Sequence, residues 1–327
     1  MNPLSGYAAC KSAVVTHTND GSQTNYQMKL TIVKGDGVDA AGTTYLDNKA
    51  LNWPYDIRFT KADGTTLLDF WREESDATDG TWWIEVDSIP DPDNATIYLH
   101  VGDADAIDAS NGANTFKLFN DGSSVAGWTA VTLSGYSAPT WAVVSGKIRC
   151  SMDFSEASFL YCDTVVDQDN YRLHTHIISS MGVTGYNHQY GLVHQDTRAN
   201  TNTGTAYWLE VLTQWAVRDS GAGLELSAAD AGFDGRNDNT YDLTVDDETH
   251  TLYVNGAEKV HIHKVGWTPN YVGLLSGSYQ TTYTNDFWNI FVANFTTNEP
   301  TWGAWGDWET GLKRSVPRIA RIMVMSP

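Results

Sequence analysis

Positive charge is scarce in this sequence. Lys and Arg total 20 against 40 Asp and Glu, a formal net charge of −20 at pH 7. That field repels a phosphate backbone and an anionic membrane surface, so neither nucleic acid nor a bilayer is an expected partner. Long apolar runs are missing too. Stretches such as Tyr271-Val272-Gly273-Leu274-Leu275 last a few residues, too short for insertion across a membrane. Charged residues are only 18%, too few for a coiled coil, whereas 41% hydrophobic residues are too many for a disordered chain. The start, Met1-Asn2-Pro3-Leu4-Ser5-Gly6-Tyr7, lacks the basic and apolar regions of a secretory leader. Either a leader has been removed or the protein leaves its cell by another route, such as inside a virion. Neither Cys-x-x-Cys nor His-Glu-x-x-His occurs.

The 327 residues are about twice the usual domain length, which predicts two domains. Aromatics reach 12%, with 13 Trp and 16 Tyr beside 28 Gly, a mixture suited to short strands and tight turns. From residue 12 to 101 the apolar period is two. Tyr26, Met28, Leu30 and Ile32 share one face, with Gln27, Lys29 and Thr31 on the other. Trp82, Ile84 and Val86 alternate with Trp83, Glu85 and Asp87, and Ala95, Ile97, Leu99 and Val101 repeat the pattern. One polar face per strand implies antiparallel sheets packed on one side, hence a β-sandwich. Asp103 is placed to cap a short helical turn through Ala104 to Ala109, and the domain boundary is set near residue 120. Beyond it, strands are predicted at Tyr171 to Ser179, Gln189 to Gln195, Ala206 to Gln214, Thr240 to Asp246, Thr249 to Asn255, Lys259 to His263, Tyr271 to Ser278 and Phe287 to Phe295. Asn255-Gly256 is the strongest hairpin signal, because both residues tolerate positive φ.

Several residues carry candidate chemistry. In the strand from Tyr207, residues Trp208, Glu210 and Gln214 oppose an apolar face, and Trp215 just past it is placed at the rim. In the strand from Tyr171, residues Arg172, His174 and His176 are left outside. An aromatic face with planar polar groups is what a sugar-binding surface needs. The same faces also suit packing on the other domain or on a second subunit. The pairs His174/His176 and His261/His263 each project to one side, half of a zinc site, but no third ligand stands at a defined spacing. Cys150 and Cys162 lie symmetrically about Glu156 in an apparent hairpin and are placed either as a cross-strand disulfide or as reduced core residues, with Cys10 single. Residues 311 to 327 carry Lys313, Arg314, Arg318 and Arg321 with no acid, the pattern of an assembly arm.

Two resemblances follow from specific runs. Thr24 to Thr31, Asp56 to Leu68, Trp83 to Pro90, Thr96 to Leu99 and Ala109-Ser110-Asn111-Gly112 through Phe119-Asn120-Asp121 resemble a prokaryotic domain of unknown function, number twenty-three forty-one, over residues 7 to 121. That family implies large secreted or surface-displayed proteins and no catalytic residues. Tyr241 to Val245, Thr249 to Gly256, Asn285 to Ile290 and Glu299-Pro300-Thr301 are similar to laminin-G and concanavalin A-like sandwiches. The expected fold class is therefore all-β, with two antiparallel β-sandwich (jelly-roll) domains, the second concanavalin A/laminin-G-like. The expected layout is a domain over 1–120, a second over 121–298 and an assembly tail over 299–327. The second resemblance implies a structural calcium ion shared by Asp121 and Asp286; otherwise the two aspartates only cap turns. Glycosidases of this fold use paired carboxylates. The nearest string, Glu85-Val86-Asp87-Ser88-Ile89-Pro90, ends in proline and lies in the first half.

The functional expectation is a non-enzymatic extracellular recognition or adhesion protein that binds a cell-surface or extracellular polysaccharide. It would be displayed on a virion, as tail fibre, spike or decoration protein, or on a cell surface, and would self-associate, a trimer being one form. A glycan hydrolase or lyase and a purely structural assembly subunit are the alternatives.

Overall fold

The computed structural model describes residues 2–166, 168, 170–180, 188–195, 198, 205–210, 214–219, 223–229, 233–263, 271–278 and 282–310; at 188, 195, 205–210, 214, 216–219 and 223–229 only the backbone is described. The first strands are β1 (Ala9–Thr16), β2 (Gln23–Val33), β3 (Thr43–Tyr45), β4 (Arg58–Lys61), β5 (Phe70–Ser75), β6 (Asp79–Ile89) and β7 (Ala95–Val101). After a one-turn helix α1 (Gly112–Thr115) come β8 (Leu118–Asn120), β9 (Trp128–Thr132), β10 (Thr140–Val144), β11 (Lys147–Met152), β12 (Glu156–Cys162), β13 (Asn170–Ser179) and β14 (His188–Gln195). Next are β15 (Thr205–Glu210), β16 (Gln214–Asp219), β17 (Gly223–Ala229), β18 (Asn239–Asp246), β19 (Thr249–Val254) and β20 (Ala257–His263). The last are β21 (Tyr271–Ser278), β22 (Tyr283–Asn294), β23 (Thr301–Trp305) and β24 (Glu309–Thr310).

The protein is all-β, built as antiparallel sandwiches. The first pairs a five-stranded sheet, β23-β1-β7-β4 with β24 on β1, with a four-stranded sheet, β3-β2-β6-β5. The second pairs an eight-stranded sheet, β10-β11-β22-β13-β18-β19-β20 with β8 on β22, with a seven-stranded sheet, β17-β16-β15-β14-β21-β12-β9. Alternation explains both cores. Tyr26, Met28, Leu30, Ile32, Trp82, Ile84, Val86, Ile97, Leu99 and Val101 fill the first, while Tyr171, Leu173, Ile177, Leu243, Val245 and Leu274 help fill the second. The Asn255–Gly256 turn joins β19 to β20 with φ of 51° and 73°, the left-handed pair this hairpin requires.

Three expectations are corrected. The helical turn does not follow Asp103; it is α1, capped by Asn111, whose side chain accepts from Asn114 N at 3.1 Å. Asp103 instead accepts from Asp105 N in a turn. Cys150 and Cys162 do not face each other across a hairpin, because β11 pairs with β10 and β22 while β12 pairs with β9 and β21, in the opposite sheet. None of the three cysteines forms a disulfide and all are buried, so Cys150 and Cys162 are the reduced core residues of the second reading. Finally, residues 299–310 of the expected tail pack on the body. β23 and β24 both pair with β1, and Trp302 enters the first core with Trp305 and Trp308 packed against it. Buried Lys11 lies 4.6 Å from the Trp308 ring while its ammonium donates to Asp39 and Tyr45 O. Residues 311–327, with the basic positions, lie outside the described residues.

The sandwiches meet face to face. The outer side of β5 and β6 packs on the outer side of β13 and β22, and Trp71, Trp83, Phe116, Phe291 and Ala293 form a buried cluster between them. Phe116 and Phe291 stack at 4.1 Å, and Trp83 meets Phe291 edge-on at 5.0 Å. Faces that read as outward in each sandwich therefore cover one another. Polar residues stitch the rim of this seam: Asn294 N donates to Gln27 Oε1 at 2.9 Å, and Tyr26 Oη donates to Glu299 Oε1 at 3.0 Å.

Candidate functional site in the seam

β13 carries Arg172, His174 and His176 at alternate positions, so all three reach one face. β22 bulges opposite them: His174 aligns with Phe291 but His176 with Trp288, and Asn289 takes φ of 52°. The extra residue turns Trp288 toward His176, at 5.1 Å between rings, while His174 stacks on Phe291 at 4.5 Å. A second bulge lies across the seam. Arg72 aligns with Trp82 and Glu74 with Thr81, leaving Glu73 as the extra residue of β5. Its side chain, only 2% exposed, enters the seam.

Glu73 joins the two histidines. Its Oε1 lies 3.0 Å from His174 Nε2 and 3.1 Å from His176 Nε2. His174 Nε2, in a side chain 1% exposed, is buried without the alignment a hydrogen bond needs. The other Glu73 oxygen accepts from Trp83 Nε1 at 3.0 Å and lies 3.4 Å from Lys29 Nζ. Each imidazole has a further carboxylate on Nδ1: Asp242 at 2.9 Å from His174 and Asp238 at 2.8 Å from His176. Burial alone would lower both imidazole pKa values, but these carboxylates outweigh it; His174 is raised and His176 is raised to about 9. Burial would raise the Glu73 carboxyl, yet the two histidines and Lys29 hold it well below the usual range. Glu73, His174 and His176 thus form a buried cluster able to chelate a metal ion, with candidate ligand atoms all within 4.8 Å of one another.

Beside the cluster opens a cleft of about 390 Å³, lined among others by Lys29, Trp83, Arg172, Asp242, Tyr253 and Glu299. Arg172 bridges it, donating to Glu299 Oε1 and Oε2 at 3.1 and 2.9 Å. Burial would raise the Asp242 carboxyl, but His174 and Arg172 keep it below its ordinary value. Phe295 and Thr297 are shared with a neighbouring polar hollow of about 540 Å³, which Asp20, Asn170 and Asn294 also line.

The residues expected to bind sugar are not brought to one face. Arg172, His174 and His176 stand in the eight-stranded sheet, whereas Trp208, Glu210 and Gln214 belong to β15 and β16 of the seven-stranded sheet, and their side chains lie outside the described residues. Trp215 is not at a rim. It pairs with Leu209 inside β16 and is 1% exposed in the second core, against Phe233 at 4.7 Å and Tyr241 at 5.8 Å. Asp121 and Asp286 have separate partners rather than a common one. Arg149 holds Asp286 through two bonds of 2.6 and 2.7 Å, and Asp121 accepts from Ser123 N in a turn. Exposed His261 and His263 bond Thr251 and Glu248. Glu73 was the residue missed. No spacing in the sequence ties it to a histidine pair about a hundred positions away, and only the packing of the two sandwiches supplies the connection.

The model of a domain of unknown function (DUF2341) matches residues 53–132, a shorter span than the resemblance over 7 to 121 and one that runs on into β9. No curated protein matches the chain. Solved structures similar to part of it include the carbohydrate-binding module CBM66 from Bacillus subtilis, at 14% identity and TM-score 0.40 over 51% of this chain and 96% of that one. A protein of unknown function with a galectin-like fold, also from Bacillus subtilis, is similar at 11% identity and TM-score 0.42 over 55% of this chain and 96% of its own. A putative glycosyl hydrolase from Parabacteroides distasonis is similar at 13% identity and TM-score 0.35, over 52% and 89%.

Proposed function

We propose that the protein is a non-enzymatic recognition or adhesion protein that holds a carbohydrate chain in the cleft between its sandwiches. The observation that carries this reading is the composition of the cleft: the partly exposed rings of Tyr253 and Phe295 stand beside Arg172, Asp242 and Glu299. Aromatic faces stack on sugar C–H patches, and planar polar groups bond the hydroxyls. Continuity with the second hollow favours a chain over a single ring. Asp242, whose carboxyl is held below its ordinary pKa, is unsuited to the general-acid role that a hydrolase would need in this cleft. Among the described residues no helix is long and apolar enough to cross a membrane. Display on a virion or a cell surface, with self-association through residues 311–327, completes the proposal; a closed oligomer would multiply weak sites into avidity.

A glycan array followed by titration of the best binder tests it. Tyr253→Ala is expected to weaken binding about tenfold through the lost stacking. Unchanged affinity in that variant removes the cleft as the site. Release of a shortened glycan supports the hydrolase or lyase alternative, and silence across the array supports a purely structural subunit.

A further inference from the structure

We infer that Glu73, His174 and His176 are the three protein ligands of a zinc-class divalent cation that clasps the two sandwiches together. The donor set is two imidazole nitrogens and one carboxylate oxygen. Such a set suits zinc and its neighbours, whereas calcium and magnesium prefer all-oxygen shells. The orientation of each ligand is already fixed. Asp242 and Asp238 each accept a hydrogen bond from the Nδ1–H of one histidine, so both Nε2 atoms turn to the centre. Trp83 occupies one oxygen of Glu73 and leaves the other to face the two rings. His174 Nε2 carries the most weight: it is buried, aimed at this centre and poorly aligned for a hydrogen bond to Glu73 Oε1 at 3.0 Å, a placement that suits two ligands facing one ion. The ligands come from β5 of one sandwich and β13 of the other, so an ion would tie halves that the chain joins only loosely in sequence. Three protein ligands leave a fourth position for water. The inference stands whether or not the cleft binds sugar.

The test uses the untagged full-length chain, stripped with chelator and titrated with Co²⁺. The expected result is one Co²⁺ per chain with the visible absorption of a low-symmetry site, displaced by Zn²⁺, and a melting temperature raised by Zn²⁺ and restored by chelator. Glu73→Gln should abolish the spectrum. Asp238→Asn, at a half-exposed position outside the ligand set, should fold normally and weaken binding about 10- to 100-fold. No spectrum at equimolar Co²⁺, or a spectrum of equal affinity in both variants, overturns the site and leaves a proton-filled imidazolium–carboxylate cluster in its place.

Discussion

The first sandwich and the seam bury histidine in opposite ways. His100 on β7 is fully buried, with Nδ1 accepting from Leu4 N at 3.1 Å and Nε2 at 2.9 Å from Thr60 Oγ1. No acid offsets its burial, which pushes its pKa down to about 4. Its neutral ring is satisfied by neutral groups. His174 and His176 are as well hidden but each lies between two carboxylates, which drive their pKa values upward. Burial alone therefore does not set the charge of a histidine: neutral neighbours keep a buried ring neutral, and flanking carboxylates favour its protonated form.

The comparison is sharpest at two adjacent residues of β6. Trp82 is wholly buried in the first core, tilted on Trp53 at 5.3 Å. Trp83 points the other way and is 2% exposed in the seam. If the seam is as dry and close-packed as a core, Trp82→Ala and Trp83→Ala should each destabilise by about 3–5 kcal/mol. Urea unfolding of both variants measures this. A Trp83→Ala cost below about 1 kcal/mol beside a full cost at Trp82 would make the seam a loose contact, and would take the rigid support from under the Glu73 cluster.

How much of this was legible follows from the same alternation. Period two on β2, β6 and β7 placed the first core correctly and put Trp83 and Glu85 on the outward side. It likewise put Arg172, His174 and His176 outside the second core. What alternation cannot register is a second sandwich covering that outer face, so His174 and His176, read as part of a solvated sugar surface, are instead buried against Glu73 of β5, while Arg172 lines the cleft. Cys150 and Cys162 failed for a related reason. Nearness in sequence suggested a hairpin, but Ser155, at φ of 60°, lies in a turn that carries the chain from one sheet to the other. Thr301–Trp305 is short and mixed in character, so nothing local reveals that it closes the edge of the first sheet.

The neutral histidine gives a smaller and separable effect. Above pH 6.5 His100 is uncharged whether folded or unfolded and adds no pH dependence. Between pH 6.5 and about 4 the unfolded chain binds a proton that the folded chain refuses, so stability falls as pH falls through this window and levels off below it. The loss attributable to His100 is at most about 3 kcal/mol. His100→Gln, which keeps one donor and one acceptor, should flatten that part of the profile when unfolding free energies are compared at each pH. Identical slopes in both proteins would show that His100 titrates normally and that its contrast with the seam is weaker than its burial implies.

The smallest effect belongs to the ion pair at the edge of the second sandwich. Arg149 grips Asp286 in a two-bond fork, but the Arg149 side chain is 33% exposed, so water and salt screen the attraction. Exposed pairs of this kind contribute about 0.2–1 kcal/mol, and Arg149→Ala should cost no more than that. The pair also bears on calcium. With a guanidinium bonded to both oxygens, a divalent ion at Asp286 would have to displace a charge already paired, so millimolar calcium is expected to leave the melting temperature of the wild type unchanged. The seam predicts the reverse for zinc. A calcium-dependent rise in melting temperature that Asp286→Asn abolishes would restore the shared site with Asp121, and would mean that Arg149 yields its place to the ion.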